Sequence, residues 1–139
     1  MVDHVIDRPD LAARMLGLPG FVVLAAGEVA DEFELLIETG AALTGCPHCG
    51  VIATAHGRLS HLVRDFPAAG RPVPLVWAKR VWSCAEPRCA QRTWTEQTEA
   101  IRPRTALTER ARIWACRRVG RDGHSIEQVR RELGWAGTR

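Results

Sequence analysis

The sequence predicts an α+β fold: an antiparallel β module with a β-hairpin before it and a small helical segment after it. Three patterns carry that prediction. Two close cysteine pairs, Cys46-Pro-His-Cys49 and Cys84-Ala-Glu-Pro-Arg-Cys89, bracket 34 residues of strand-like sequence. Residues Glu32–Thr39 alternate, with Phe33, Leu35 and Ile37 on one side and Glu32, Glu34 and Glu38 on the other, which is the period of a half-buried strand. From Arg102 onward the apolar period becomes helical.

In chain order, Pro9 to Leu16 suits a short helix, with Asp7 or Asp10 near its start and Gly17 ending it. After Pro19-Gly20, the apolar run Phe21–Ala26 reads as a strand, Gly27–Asp31 as a turn, and Glu32–Thr39 as the returning strand. Between the cysteine pairs, Ala55–Val63 continues into Arg64-Asp-Phe-Pro67, Ala68-Ala-Gly70 makes a loop, and Pro72–Ser83 returns. Val73, Leu75, Trp77 and Val81 fall on one side of that last strand, and Val76, Ala78, Arg80 and Trp82 on the other. Arg92–Glu96 has strand propensity and is placed to close the sheet.

The helical segment starts near Pro103, with Thr105 as expected N-cap and Glu109 in the first turn. Leu107, Ala111, Trp114 and Ala115 make its apolar stripe, and Gly120 ends it. Ser125-Ile-Glu-Gln128 is a capping box for a second helix, with Ile126, Val129 and Leu133 at helical spacing and Gly134 as its stop. The expected division is therefore 1–45, 46–101 and 102–139.

Composition narrows the chemistry. The 139 residues are 46% hydrophobic, enough for a globular core, and no apolar run approaches the roughly 20 residues of a membrane span. The first residues lack the basic stretch of a secretory signal. A cytoplasmic setting is expected, where paired cysteines favour metal over disulfides. Charge is graded, net −6 over 1–45, +3 over 46–101 and +6 over 102–139. The arginine-rich end is the part suited to a polyanion.

Short Cys-x(2–4)-Cys spacings deliver two thiolates from one tight turn, and two such turns complete a tetrahedral site. Cys46, Cys49, Cys84 and Cys89 are thus the expected ligands of one structural zinc ion, in a zinc-ribbon-like module. Four thiolates leave no position for a catalytic water. His48, His56 and His61 are further candidates, as replacement ligands or for a second metal, and Cys116 is left over. Of the five tryptophans, Trp77, Trp82 and Trp114 read as core, with Trp94 and Trp135 undecided. A redox dithiol or metal hydrolase is the enzymatic alternative; the dithiol is disfavoured because Cys-Pro-His-Cys sits between strand signals and not at a helix start.

Ordered blocks from about Leu16 to Gly134 carry a resemblance. They are Cys46-Pro-His-Cys-Gly50, Arg64-Asp-Phe-Pro67 with Gly70-Arg-Pro-Val73, Lys79-Arg-Val-Trp-Ser-Cys84, and Cys89-Ala-Gln-Arg-Thr-Trp-Thr-Glu96. Ala106-Leu-Thr-Glu-Arg-Ala111, Val119-Gly-Arg-Asp-Gly-His-Ser125 and Val129-Arg-Arg-Glu-Leu-Gly134 continue it. The chain resembles the N-terminal part of the ISL-three family of bacterial insertion-sequence transposases. The resemblance implies a zinc-binding domain and a helix-turn-helix that recognise the element's terminal DNA, with an Asp-Asp-Glu catalytic domain following.

This sequence reaches only the start of the expected recognition helix, so a partial helix-turn-helix without catalytic activity is expected, and none of its acids is assigned to catalysis. Arg102, Arg104, Arg110, Arg112, Arg117, Arg118, Arg121, Arg130 and Arg131 are the expected contacts to duplex DNA, weak and salt-sensitive. A protein–protein module acting on an intact transposase is the alternative.

Overall fold

The computed structural model describes residues 4–6, 9–40 and 43–135. Strands β1 (His4–Ile6), β2 (Phe21–Val29), β3 (Glu32–Thr39), β4 (Thr54–Ala68), β5 (Arg71–Ser83) and β6 (Thr93–Thr95) form one sheet in the order β1-β2-β3-β5-β4, with β6 also on β5. Helix α1 (Pro9–Leu16) lies before β2, and α2 (Glu109–Gly120) and α3 (Ile126–Glu132) close the described chain. The α+β class and the zinc-ribbon-like hairpin are as the sequence predicts.

The apolar alternation sets which face is buried. Leu35, Ile37, Val63, Val73, Leu75 and Trp77 form one cluster with Leu18, Val23, Ala26 and Ile101, and Ala12, Ala13 and Leu16 of α1 pack against it. Trp77, Ile37 and Leu75 are fully buried. Phe21 meets the Trp77 ring edge-on at 5.6 Å and His61 stacks on it at 5.8 Å. Burial of side chains this size stabilises by about 1.5–3 kcal/mol each.

Strands β4 and β5 pair from Thr54↔Ser83 to Ala68↔Arg71, the longest ladder in the molecule. One edge of β5 carries β4. The other carries β3 in parallel (Leu35↔Leu75 to Ile37↔Trp77) and then β6 antiparallel (Val81↔Thr95 to Ser83↔Thr93). Residues 54–60 are all exposed, so the open end of this hairpin projects beyond the core.

Several boundaries differ from the sequence reading, each for a local reason. The turn expected over Gly27–Asp31 shrinks to Ala30-Asp31, with φ of 49° and 66°. The loop at Ala68-Ala-Gly70 shrinks to Ala69-Gly70, with φ of 51° and 74°. Two successive positive φ values make the mirror-image turn that matches strand twist, and the strands run right up to it. Helix α2 is capped by Thr108, not Thr105, because the Thr108 hydroxyl accepts from the Ala111 N–H at 3.1 Å.

Leu107 leaves the helical stripe and bridges Arg64 of β4 instead. Ser125 caps α3 with the expected box, whereas Ile126 is exposed and only Val129 and Leu133 turn inward. Asp10 stands in the first turn of α1; Asp7 lies outside the described residues.

A buried carboxylate joins sheet to helices. Asp65, 1% exposed, accepts the Thr108 hydroxyl at 2.8 Å and Arg110 Nε at 3.0 Å, and Arg110 closes the pair with a second nitrogen. The same guanidinium donates to the carbonyls of Leu16 at 2.6 Å and Gly17 at 3.0 Å, and lies over the Phe66 ring. Removing one partner of such a pair leaves an uncompensated charge. Asp65→Ala is expected to lower stability by about 3 kcal/mol, read as a lower urea midpoint. Asp65→Leu combined with Arg110→Met is expected to recover most of that loss.

Candidate metal centre

Both knuckles are built by short backbone hydrogen bonds at the open end of the β4–β5 hairpin. In the first, the Cys46 N–H donates to the Val51 carbonyl at 2.8 Å and the Gly50 N–H to the Cys46 carbonyl at 2.9 Å. Gly50 has φ 81°, and a side chain on Gly45 would meet the Gly50 carbonyl oxygen at 3.1 Å. The turn therefore needs glycine at one position and favours it at the other. In the second, Ser83 ends β5, the Cys84 N–H donates to the Arg92 carbonyl at 3.0 Å, and the Cys89 N–H donates to the Glu86 carbonyl at 3.1 Å.

The result is a four-sulfur cluster. The Sγ atoms of Cys46, Cys49, Cys84 and Cys89 all lie within 4.8 Å of one another. Cys46 and Cys89 are 3.8 Å apart, and Cys49 and Cys84 3.5 Å. A tetrahedron with zinc–sulfur bonds of about 2.3 Å has edges of about 3.8 Å, so the four thiols fit one zinc ion. Cys46 and Cys89 are buried, Cys84 is partly covered and Cys49 is exposed.

No histidine joins the cluster among the described residues. His48 donates its backbone N–H to Cys46 Sγ at 3.4 Å, and His61 Nε2 bonds the Thr105 carbonyl at 2.8 Å. Bound zinc would supply positive charge and cross-link the two knuckles.

The thiols titrate apart. Burial pulls Cys46 up, but the backbone N–H groups of Cys49 and His48, with the neighbouring thiols, outweigh it and bring it down to about 6. At Cys84 the Glu86 N–H favours the thiolate, yet burial and the other three sulfurs push it up to about 12. Burial also raises Cys89, against the Gln91 N–H.

The arginines expected to meet DNA divide into two groups. Arg110 is committed to Asp65. Arg102 and Arg112 both pair with Glu109, whose carboxyl is held below its usual range by the Arg112 hydrogen bond, with the charges of Arg102 and Arg112 adding to it. Arg118 pairs with Glu132 at 2.9 Å and lies over Trp114. Arg104, Arg117, Arg121, Arg130 and Arg131 have no ion pair among the described residues, and all but the half-buried Arg130 are exposed.

The acids of the N-terminal hairpin are also used internally. Arg71 pairs with Glu28 and Asp31, Arg64 with Glu32, and Arg58 and Arg80 with Glu38. The sequence reading missed this pairing, as it missed Asp65, because each partner stands about 20 to 45 residues away across the sheet.

Residues 42–89 match the zinc-finger of transposase IS204/IS1001/IS1096/IS1165, the ISL3 zinc ribbon. No curated protein and no solved structure matches the chain significantly. Among the described residues no helix is long and apolar enough to cross a membrane.

Zinc capture must displace the protons of the raised thiols, so affinity falls as pH falls. Apparent zinc affinity, measured by chelator competition between about pH 8 and about pH 6, is expected to drop about tenfold per unit for each proton displaced. Removing zinc, or Cys89→Ser, is expected to unpair the open end of the hairpin, seen as faster amide exchange over residues 54–60 and 78–83. The stretch 42–89, which takes in all four cysteines and the β4–β5 hairpin, is thus similar to the zinc ribbon of ISL3-type transposases.

Proposed function

We propose that this chain is a DNA-binding module of an insertion-sequence transposase, in which the zinc ribbon and the helices that follow it recognise the ends of the element. The matched ribbon with its four converging thiols is the observation that carries this reading. The described residues then serve to hold DNA, and cutting and joining belong to a catalytic domain of the Asp-Asp-Glu type. On this reading 1–45 buttresses the ribbon of 46–101, and 102–139 supplies the basic helices.

Arg117 and Arg121 stand one helical turn apart near the end of α2, with Arg130 and Arg131 on α3. Together with Arg104 they offer five cations to phosphates. Arg110 acts as the strut that sets α2 on the sheet. Phosphate contacts of this kind give affinity without sequence choice.

A second reading, a module that docks on an intact transposase, draws on the sheet's open face. Leu62 is 67% exposed and Val22 and Leu24 are each 44% exposed, and Leu62 lies in register with Val76, itself beside Leu36. Co-purification with an intact transposase in nuclease-treated extract would favour it.

Duplex binding in a gel shift is expected to weaken with salt. Five phosphate contacts give a log–log slope of about −4.5, or about 500-fold between 50 and 200 mM. Arg117→Ala with Arg121→Ala is expected to lower the slope by about 2 without changing the zinc content. Zinc-loaded protein that binds no duplex even at low salt would overturn the DNA reading.

A further inference from the structure

We propose that the cavity beside the first cysteine knuckle is a binding site for one unpaired nucleobase. The cavity, about 620 Å³, lies between the end of β5, β6 and the stretch leading into Cys46, where Gly45 and Pro47 form part of its wall. Its size falls in the range of small-ligand sites and exceeds what a single base needs, leaving room for part of the sugar. Trp82 and Trp94 line it and stand directly opposite one another across the β5–β6 ladder. Both are half-buried and stand outside the hydrophobic cluster around Trp77. Among the described residues neither makes the ring–ring or cation–ring contacts that engage Trp77 and Trp114. Half-covered indoles on a strand are a stacking platform for bases of any sequence.

Charge selects the ligand further. Arg80 lines the cavity, but its guanidinium donates to the Thr39 carbonyl at 2.8 Å, the Thr39 hydroxyl at 2.7 Å and the Gly40 carbonyl at 3.3 Å, and pairs with Glu38. Glu96 is likewise occupied, accepting the Thr39 hydroxyl at 2.6 Å and the Arg80 N–H at 2.8 Å. Among the described residues, no uncommitted cation remains in the wall to hold a phosphate. A flat, neutral ring with a hydrogen-bonding edge suits what is left, and the exposed Gln97 is among the lining residues. The phosphates then stay outside. Gly45 and Pro47 belong to the first cysteine knuckle, so the cavity and the metal centre share a wall.

The inference rests on the DNA reading for the source of the base. The test compares zinc-loaded full chain on a labelled single strand of about 12 nucleotides and on the duplex made from it, by fluorescence anisotropy. Trp94→Ala is expected to weaken single-strand binding about 5- to 100-fold, leave duplex binding unchanged, and be largely rescued by Trp94→Phe. No loss on the single strand, or an equal loss on both forms, overturns the proposal. Duplex binding without single-strand binding also overturns it and leaves the DNA reading standing. If neither form binds, the DNA reading fails by itself and millimolar adenosine decides the cavity. Quenching of tryptophan emission that Trp94→Ala removes upholds the site, and no such quenching ends it.

Discussion

The carboxylate of Asp65 is the point on which the arrangement of elements turns. It sits on the buried face of β4, where a lone charge would be intolerable, and it is matched by Arg110 and by the Thr108 hydroxyl. That hydroxyl also caps α2, and the Arg110 guanidinium also ends α1 by holding the Leu16 and Gly17 carbonyls. One buried group thus fixes the start of one helix, the end of another and the strand between them. Arg64, its neighbour on β4, does the corresponding work on the other face, binding Glu32 of β3 and the Leu133 carbonyl after α3. The helices are held on the sheet by polar contacts as much as by apolar packing.

Charge along the chain has a different meaning once the sheet is assembled. The acidic first third faces the arginines of β4 and β5, so much of its charge is neutralised within the molecule. The basic last third is only partly neutralised, since Glu109, Asp122 and Glu132 occupy Arg102, Arg112 and Arg118. What remains toward solvent is a smaller, more localised set of cations than the composition suggests. Localisation is what allows a polyanion to be oriented, beyond merely attracted.

The parts legible in the sequence are those written in local pattern. Cysteine spacing marks the metal centre, alternation marks β3 and β5, and the Ser125–Gln128 box marks α3. The parts that were not legible depend on distant partners. Nothing in Glu32–Thr39 signals parallel pairing to β5, because strand direction leaves no trace in a period of two. Thr105 and Thr108 are equivalent caps by type, and only the Asp65 acceptor selects the second. Arg110 resembles its neighbours in the basic run, and its internal role follows from a carboxylate 45 residues earlier. Turns at Ala30-Asp31 and Ala69-Gly70 lack the Asn-Gly signature, so strand ends were placed too early.

The parallel contact between β3 and β5 bears on how the chain reaches this state. Leu35 meets Leu75 across 40 residues, the Cys46 and Cys89 sulfurs meet across 43, and Asp65 meets Arg110 across 45. Each closes a loop of nearly the same length, and all three loops enclose residues of the β4–β5 hairpin. Loop-closure entropy is therefore incurred before any one of them is rewarded, which slows folding for a chain of this size. The β4–β5 hairpin, joined by a two-residue turn, is the longest local piece able to form early. Once it has formed, it shortens all three loops together, so the time spent as an unpaired ribbon with an open edge is set by how soon that hairpin finds β3.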